Sequence, residues 1–218
     1  MAGRLLQSFD GLLRGRADAM DLSKGAVALV LCGGFYGAVM GSFWGDEGPR
    51  LLQMAFSALK VPLLVGATFA LSVPAFFVVS TLIGLRDDFA ESIRALMATQ
   101  AVLAILLASF APFTLLWYAS TRDYSGALLF NTAMFALASL LAQRVLARLF
   151  QPLVARDPRH RVMMRVWLVA FAFVGIQMGW VLRPFVGNPT EPTTFFREEA
   201  WGNAYEMMAS HVRRTLGL

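Results

Sequence analysis

Every charged side chain in this 218-residue sequence lies outside five uninterrupted apolar runs. The runs cover residues 25–45, 61–85, 95–121, 124–143 and 166–182, and together hold 110 residues and none of the 33 charges. A membrane-spanning helix needs about 20 apolar residues, because each adds about 1.5 Å across a hydrocarbon core of about 30 Å. The fifth run is short, but it extends back to residue 163 if Arg165 snorkels to the head groups. The pattern therefore predicts an all-α fold, a polytopic transmembrane bundle of five spans with amphipathic interfacial helices at both ends.

Composition agrees with the pattern. Apolar residues make up 57% and charged residues 15%, against about 45–50% and about 25% in soluble domains. This excludes a disordered chain, a disulfide scaffold and an ordinary cytosolic enzyme. The single cysteine, Cys32, allows no disulfide within the chain. The net charge of +5 sits in short connections, where it reports membrane orientation rather than a nucleic-acid partner. No cleavable signal is expected, because the first apolar run is long enough to span.

The lysines and arginines divide twelve to seven across the bundle. The richer side holds the N-terminal tail and the second and fourth connections. The fourth alone carries Arg144, Arg148, Arg156, Arg159, Arg161 and Arg165. Cationic loops stay cytoplasmic, so the N-terminus is expected in the cytoplasm and the C-terminus outside. The organisation is then a cytoplasmic amphipathic tail over 1–24, a five-helix bundle over 25–185 and a C-terminal interfacial segment over 186–218. In the tail, Leu5, Phe9, Leu12 and Leu13 form an amphipathic stripe beside Arg4, Arg14 and Arg16, suited to anionic head groups. Residues 51–59 read as a second interfacial helix, ended by Lys60 and Pro62. At the C-terminus, Trp201, Tyr205, Met208, Val212 and Leu216 recur at helical spacing.

Within the spans, packing signals outnumber chemical ones. Gly33, Gly37, Gly41 and Gly45 repeat every four residues in span one, and Gly175 and Gly179 form one such pair in span five. Four-residue spacing aligns the glycines on one helix face, where another helix can approach closely. That helix can belong to the bundle or to a partner. Pro74 and Pro112 fall mid-span and remove one backbone hydrogen bond each. The polar residues at depth are Gln100, Asn131, Ser139, Gln143 and Gln177. Asn131, Ser139 and Gln143 share one face of span four. Their default use is interhelical hydrogen bonding, with a polar solute path as the alternative.

Other chemistry is not expected. By this division no ionisable residue lies at mid-membrane, whereas coupled transporters and voltage sensors need such groups. His160 and His211 fall outside the spans, no metal-ligand spacing or phosphate loop is present, and no in-membrane serine has a histidine partner. The sequence therefore predicts no catalytic residues, no metal and no cofactor. One dense cluster follows span five: Trp180, Arg183, Arg197, Glu198, Glu199, Trp201 and Asn203. Membrane anchoring explains such residues, and a head-group or partner site is the sharper reading.

The five spans, the amphipathic start, the glycine-rich first span and the tight connection between spans three and four resemble the Yip family of five-span membrane proteins. In eukaryotes that family is linked to vesicle trafficking. The stretch from Leu182 through Arg183, Pro184, Phe185, Val186, Gly187 and Asn188 to Pro189, with Phe196, Arg197 and Glu198, is similar to bacterial multi-pass membrane proteins of unknown function. It implies the bacterial cytoplasmic membrane. The expected function is a non-enzymatic integral membrane scaffold or accessory subunit. Its partners would be membrane lipids and other subunits or copies of itself, met through the glycine-rich face. The alternative is a channel or facilitator for a small or apolar solute. A lipid-active interfacial enzyme built on the C-terminal cluster is a third, weaker option.

Overall fold

A computed structural model describes residues 22–43, 51–188 and 191–196. Gly45, Arg197, Glu198, Glu199, Trp201 and Asn203, and the amphipathic stripes expected in both terminal segments, lie outside these described residues. The described chain is all-helical: α1 (Leu22–Gly41), α2 (Leu51–Ile83), α3 (Phe89–Ser120), α4 (Tyr124–Leu149), α5 (Gln151–Arg156) and α6 (His160–Leu182). All but α5 are long and apolar enough to cross a membrane, with mean hydropathy from 1.5 to 2.1. Large apolar side chains cover the outside, Leu82 at 80% exposure and Leu129 at 72% among them. Such a surface suits lipid and would be a liability in water. The chain is an integral membrane protein.

The long helices stand in an arc. α1 packs against both α2 and α3, α6 lies on the free side of α2, and α4 lies on the free side of α3. The two ends of the arc, α4 and α6, barely touch along their length. They come together only where α5 joins them. There Leu146 and Leu149 of α4, Leu153 of α5, and Met163 and Trp167 of α6 share one core with Leu96 and Val102 of α3. A second core nearer the opposite end joins Tyr36, Met40, Val61, Val65, Leu107 and Tyr118.

Local chemistry sets the turns. The connection between α3 and α4 is three residues long, and Asp123 caps α4 by accepting from the backbone N–H groups of Ser125 and Gly126. Carboxylate caps of this kind satisfy otherwise orphaned donors. α2 ends at Gly84, whose φ of +81° lets Leu85 N–H donate back to Ser80 C=O at 2.9 Å, the reversal that favours glycine. Arg159 Nη1 donates to the Ile83 carbonyl at 2.7 Å and tethers that end to α6.

The second span differs from the sequence expectation. Residues 51–59 are no separate interfacial helix. α2 runs unbroken for 33 residues through Lys60, Pro62 and Pro74. Pro62 cannot donate to the Ala58 carbonyl, yet the helix continues through it. That carbonyl lies 3.4 Å from where a Cβ on Gly34 would sit, and the Pro62 ring packs beside Gly33. Lys60, expected in a connection, is fully buried in the bundle. Its partner is a carbonyl distant in sequence.

Candidate functional site: a lateral cleft between α4 and α6

The glycine face of α1 is used inside the bundle. A Cβ on Gly37 would lie 2.2 Å from the Ser57 carbonyl oxygen, and one on Gly41 would lie 2.7 Å from that of Gln53. Gly33 meets Pro62 at 3.5 Å. α2 therefore covers the surface expected to receive a partner, and Gly33, Gly37 and Gly41 are not available to another chain. Gly175 and Gly179 on α6 have a different setting. A Cβ on Gly175 would reach Thr68 at 3.5 Å, and one on Gly179 would meet nothing within 4 Å. Both line an opening.

That opening is a cleft of about 700 Å³ between α4 and α6, floored by α2 and α3. Its walls include Leu64, Leu103, Phe135, Leu140, Leu168, Phe171 and Ile176. It exists because α4 and α6 do not close the arc. Phe171 stacks on Trp167, which also meets Phe69 and Phe76 edge-on at 5.4 and 5.7 Å. That aromatic cluster holds α6 to α2 and fixes one wall. Four of the five polar residues expected at depth also border the cleft: Gln100, Asn131, Ser139 and Gln143. Gln177 does not.

These polar groups are not equivalent. Asn131 is committed to holding helices together. Its Nδ2 donates to Tyr118 Oη at 2.7 Å and to the Ala127 carbonyl at 2.8 Å. Its Oδ1 accepts from Tyr36 Oη at 3.1 Å, and Tyr118 Oη donates on to the Met40 carbonyl at 3.0 Å. This network ties α1, α3 and α4. By contrast, Thr68 and Gln100 are each only 1% exposed and border the cleft, yet Thr68 Oγ1 and Gln100 Oε1 have no hydrogen-bond partner. Buried polar atoms are rarely left so. Both residues border the cleft, but these two atoms are themselves buried and do not open onto it.

The far end of the cleft is roofed by the segment after α6, which the sequence marked as an anchoring cluster or a head-group or partner site. Arg183 lies over the Trp180 ring at 3.3 Å, and the chain then turns across the bundle. Lys60 Nζ donates to the Pro184 carbonyl at 2.7 Å. Gln53 Nε2 donates to the Phe185 carbonyl at 3.1 Å, and Ser57 Oγ donates to the same oxygen. Gln53, Ser57 and Lys60 stand at i, i+4 and i+7 on one face of α2, a spacing readable in the sequence. They were missed because 51–59 read as a surface helix. Phe195 stacks edge-on with Phe56 and lies 4.9 Å from Lys60 Nζ.

The opposite end carries the ion pairs. Arg156 donates to Glu91 at 2.6 Å and lies 3.7 Å from Asp88, and Asp88 also meets His160 Nε2 at 3.1 Å. Arg159 pairs with Asp157 at 2.6 Å. The Arg159 side chain and backbone N–H hydrogen-bonded to Asp157 push its carboxyl down to about 2. Among the described residues, no three His, Cys, Asp or Glu side chains are grouped to hold a metal ion. Comparison of the chain with protein-family models, curated proteins and solved structures returned no match, so its function is argued from its own residues and geometry.

Proposed function

We propose that this integral membrane protein takes a small apolar or lipid-like solute from the bilayer into the α4–α6 cleft, and does so by binding rather than by covalent chemistry. One observation carries the reading: the arc of helices stays open between α4 and α6, leaving a lateral apolar recess of about 700 Å³. Ligand sites of this kind are concave and mostly apolar, with a few placed polar groups. Ser139 and Gln143, half-buried on the α4 wall, are such groups. The end that carries α5 faces the cytoplasm in this proposal, supported by the arginine excess there. A Yip-like kinship belongs with it, supported by the five spans and the short α3–α4 connection.

Labelling with a diazirine-bearing fatty acid in reconstituted membranes tests it. Cleft residues such as Leu168 and Phe171 should be labelled in the wild type, and Gly175→Leu, which narrows the cleft beside Thr68, should cut that labelling several-fold. Labelling at Val169, exposed on the same helix and outside the cleft, should not change. Equal labelling of the cleft in both proteins refutes the reading.

A second reading keeps the accessory-subunit role but moves its surface. Gly175 and Gly179 present a small-residue face to the gap, with nothing against Gly179. Such a face admits a partner helix closely. Native mass spectrometry after mild extraction separates the two: a second polypeptide at fixed ratio supports the partner helix, and bound lipid alone supports the cleft ligand.

A further inference from the structure

A second cavity of about 240 Å³ lies at the α5 end, bordered by Ala147, Gln151, Arg161, Met164 and Arg165. It is in line with the apolar cleft. Ala147 is one turn from the cleft residue Gln143 along α4, and Met164 is one turn from the cleft residue Leu168 along α6. The two openings therefore follow one another down the same gap between α4 and α6. Basic at one end and oily along the rest, the gap has the polarity of a lipid.

Arginines at helix ends ordinarily report topology alone. Arg161 and Arg165 differ from their neighbours. Of the acids described at this end, Asp88, Glu91 and Asp157 are engaged by Arg156, Arg159 and His160, and the exposed Asp87 borders neither cavity. Arg161 and Arg165 make no hydrogen bond or ion pair among the described residues. Their i, i+4 spacing puts both guanidinium groups on the α6 face that fronts the cavity. Basic pockets between helix ends are suited to phosphate head groups, and guanidinium groups match phosphate oxygens in a bidentate fork.

We propose that the α4–α6 gap holds one anionic phospholipid, its phosphate between Arg161 and Arg165 and an acyl chain in the cleft. The inference rests on the cleft being a lipid-like binding site. The length fits: fourteen residues of α6 separate Arg165 from Gly179, about 21 Å at 1.5 Å each. One leaflet of the hydrocarbon core is about 15 Å deep.

The test is native mass spectrometry of the full chain in mild detergent, titrated with phosphatidylglycerol or phosphatidylcholine of the same acyl chains. The wild type should retain one phosphatidylglycerol at roughly 30-fold lower concentration than phosphatidylcholine, the preference that two basic groups near an anion supply. The double variant R161Q/R165Q should lose that preference and still bind both lipids weakly. Both arginines are exposed, so its thermal midpoint should stay that of the wild type. R144Q, an exposed cation on α4 outside both cavities, should keep the preference. Retention of the preference in the double variant, its absence in the wild type, or an equal loss in R144Q overturns the inference. Failure of the underlying cleft reading shows separately: G175L would then bind both lipids as the wild type does.

Discussion

Gly37→Ala is the sharpest test of how α1 and α2 are held. The added Cβ would lie 2.2 Å from the Ser57 carbonyl oxygen, 2.8 Å from its carbon and 3.0 Å from Ala58 Cα. All three are backbone atoms, so no rotamer change relieves the clash. Restoring ordinary contact requires the helices to separate by about 1 Å, and a gap of that size forfeits a quarter to a half of the dispersion well at each facing atom. Overpacking of this kind costs about 1–3 kcal/mol. Gly33→Ala is the matched control. Its Cβ would meet Pro62 at 3.5 Å, an ordinary contact, and the better helix propensity of alanine contributes up to about 1 kcal/mol. That propensity gain is common to both variants, so they should differ by the overpacking cost alone, about 1–3 kcal/mol. Unfolding with sodium dodecyl sulfate in mixed micelles, followed by tryptophan fluorescence, measures the difference. Moving Ser57 also strains its hydrogen bond to the Phe185 carbonyl, so amide exchange near Phe185 should rise in the alanine variant at 37 alone. Two variants within about 0.5 kcal/mol of one another would refute the close-approach argument.

Two further outcomes follow from the ends of the bundle. Lys60→Met keeps the bulk but removes the donor to the Pro184 carbonyl; it should cost about 1.5–3 kcal/mol and raise hydrogen exchange at 185–188, and unchanged exchange there would count against the latch. At the other end, Asp157 titrates below its ordinary value of 3.8, near 2, because of Arg159. A depressed carboxyl stabilises the fold above 3.8 and loses that contribution as pH falls through about 2. The α5–α6 turn should thus stay protected at pH 4 and open towards pH 2. In Arg159→Gln the Asp157 carboxyl, followed by NMR, should titrate higher, and an unmoved titration would dismiss the pairing.

The sequence by itself determined the number of spans and where they lie. Charge in hydrocarbon is so costly that five uncharged runs leave few alternatives, and the described helices fall over them. It also marked polar residues of span four that the structure finds at one cavity, since a 3.6-residue period is a local property. What covers each face was not local. The same glycine repeat suits an internal neighbour or a foreign one, and only tertiary packing showed α2 lying on Gly37 and Gly41 while Gly179 faces open space. Lys60 read as a loop cation because its partner, the Pro184 carbonyl, is 124 residues away. Its burial depends on a segment that folds back over the bundle. The cleft was likewise invisible, because it is not made of any one segment. It is the space left where α4 and α6 fail to meet, and a gap between non-neighbouring helices has no signature in either helix alone.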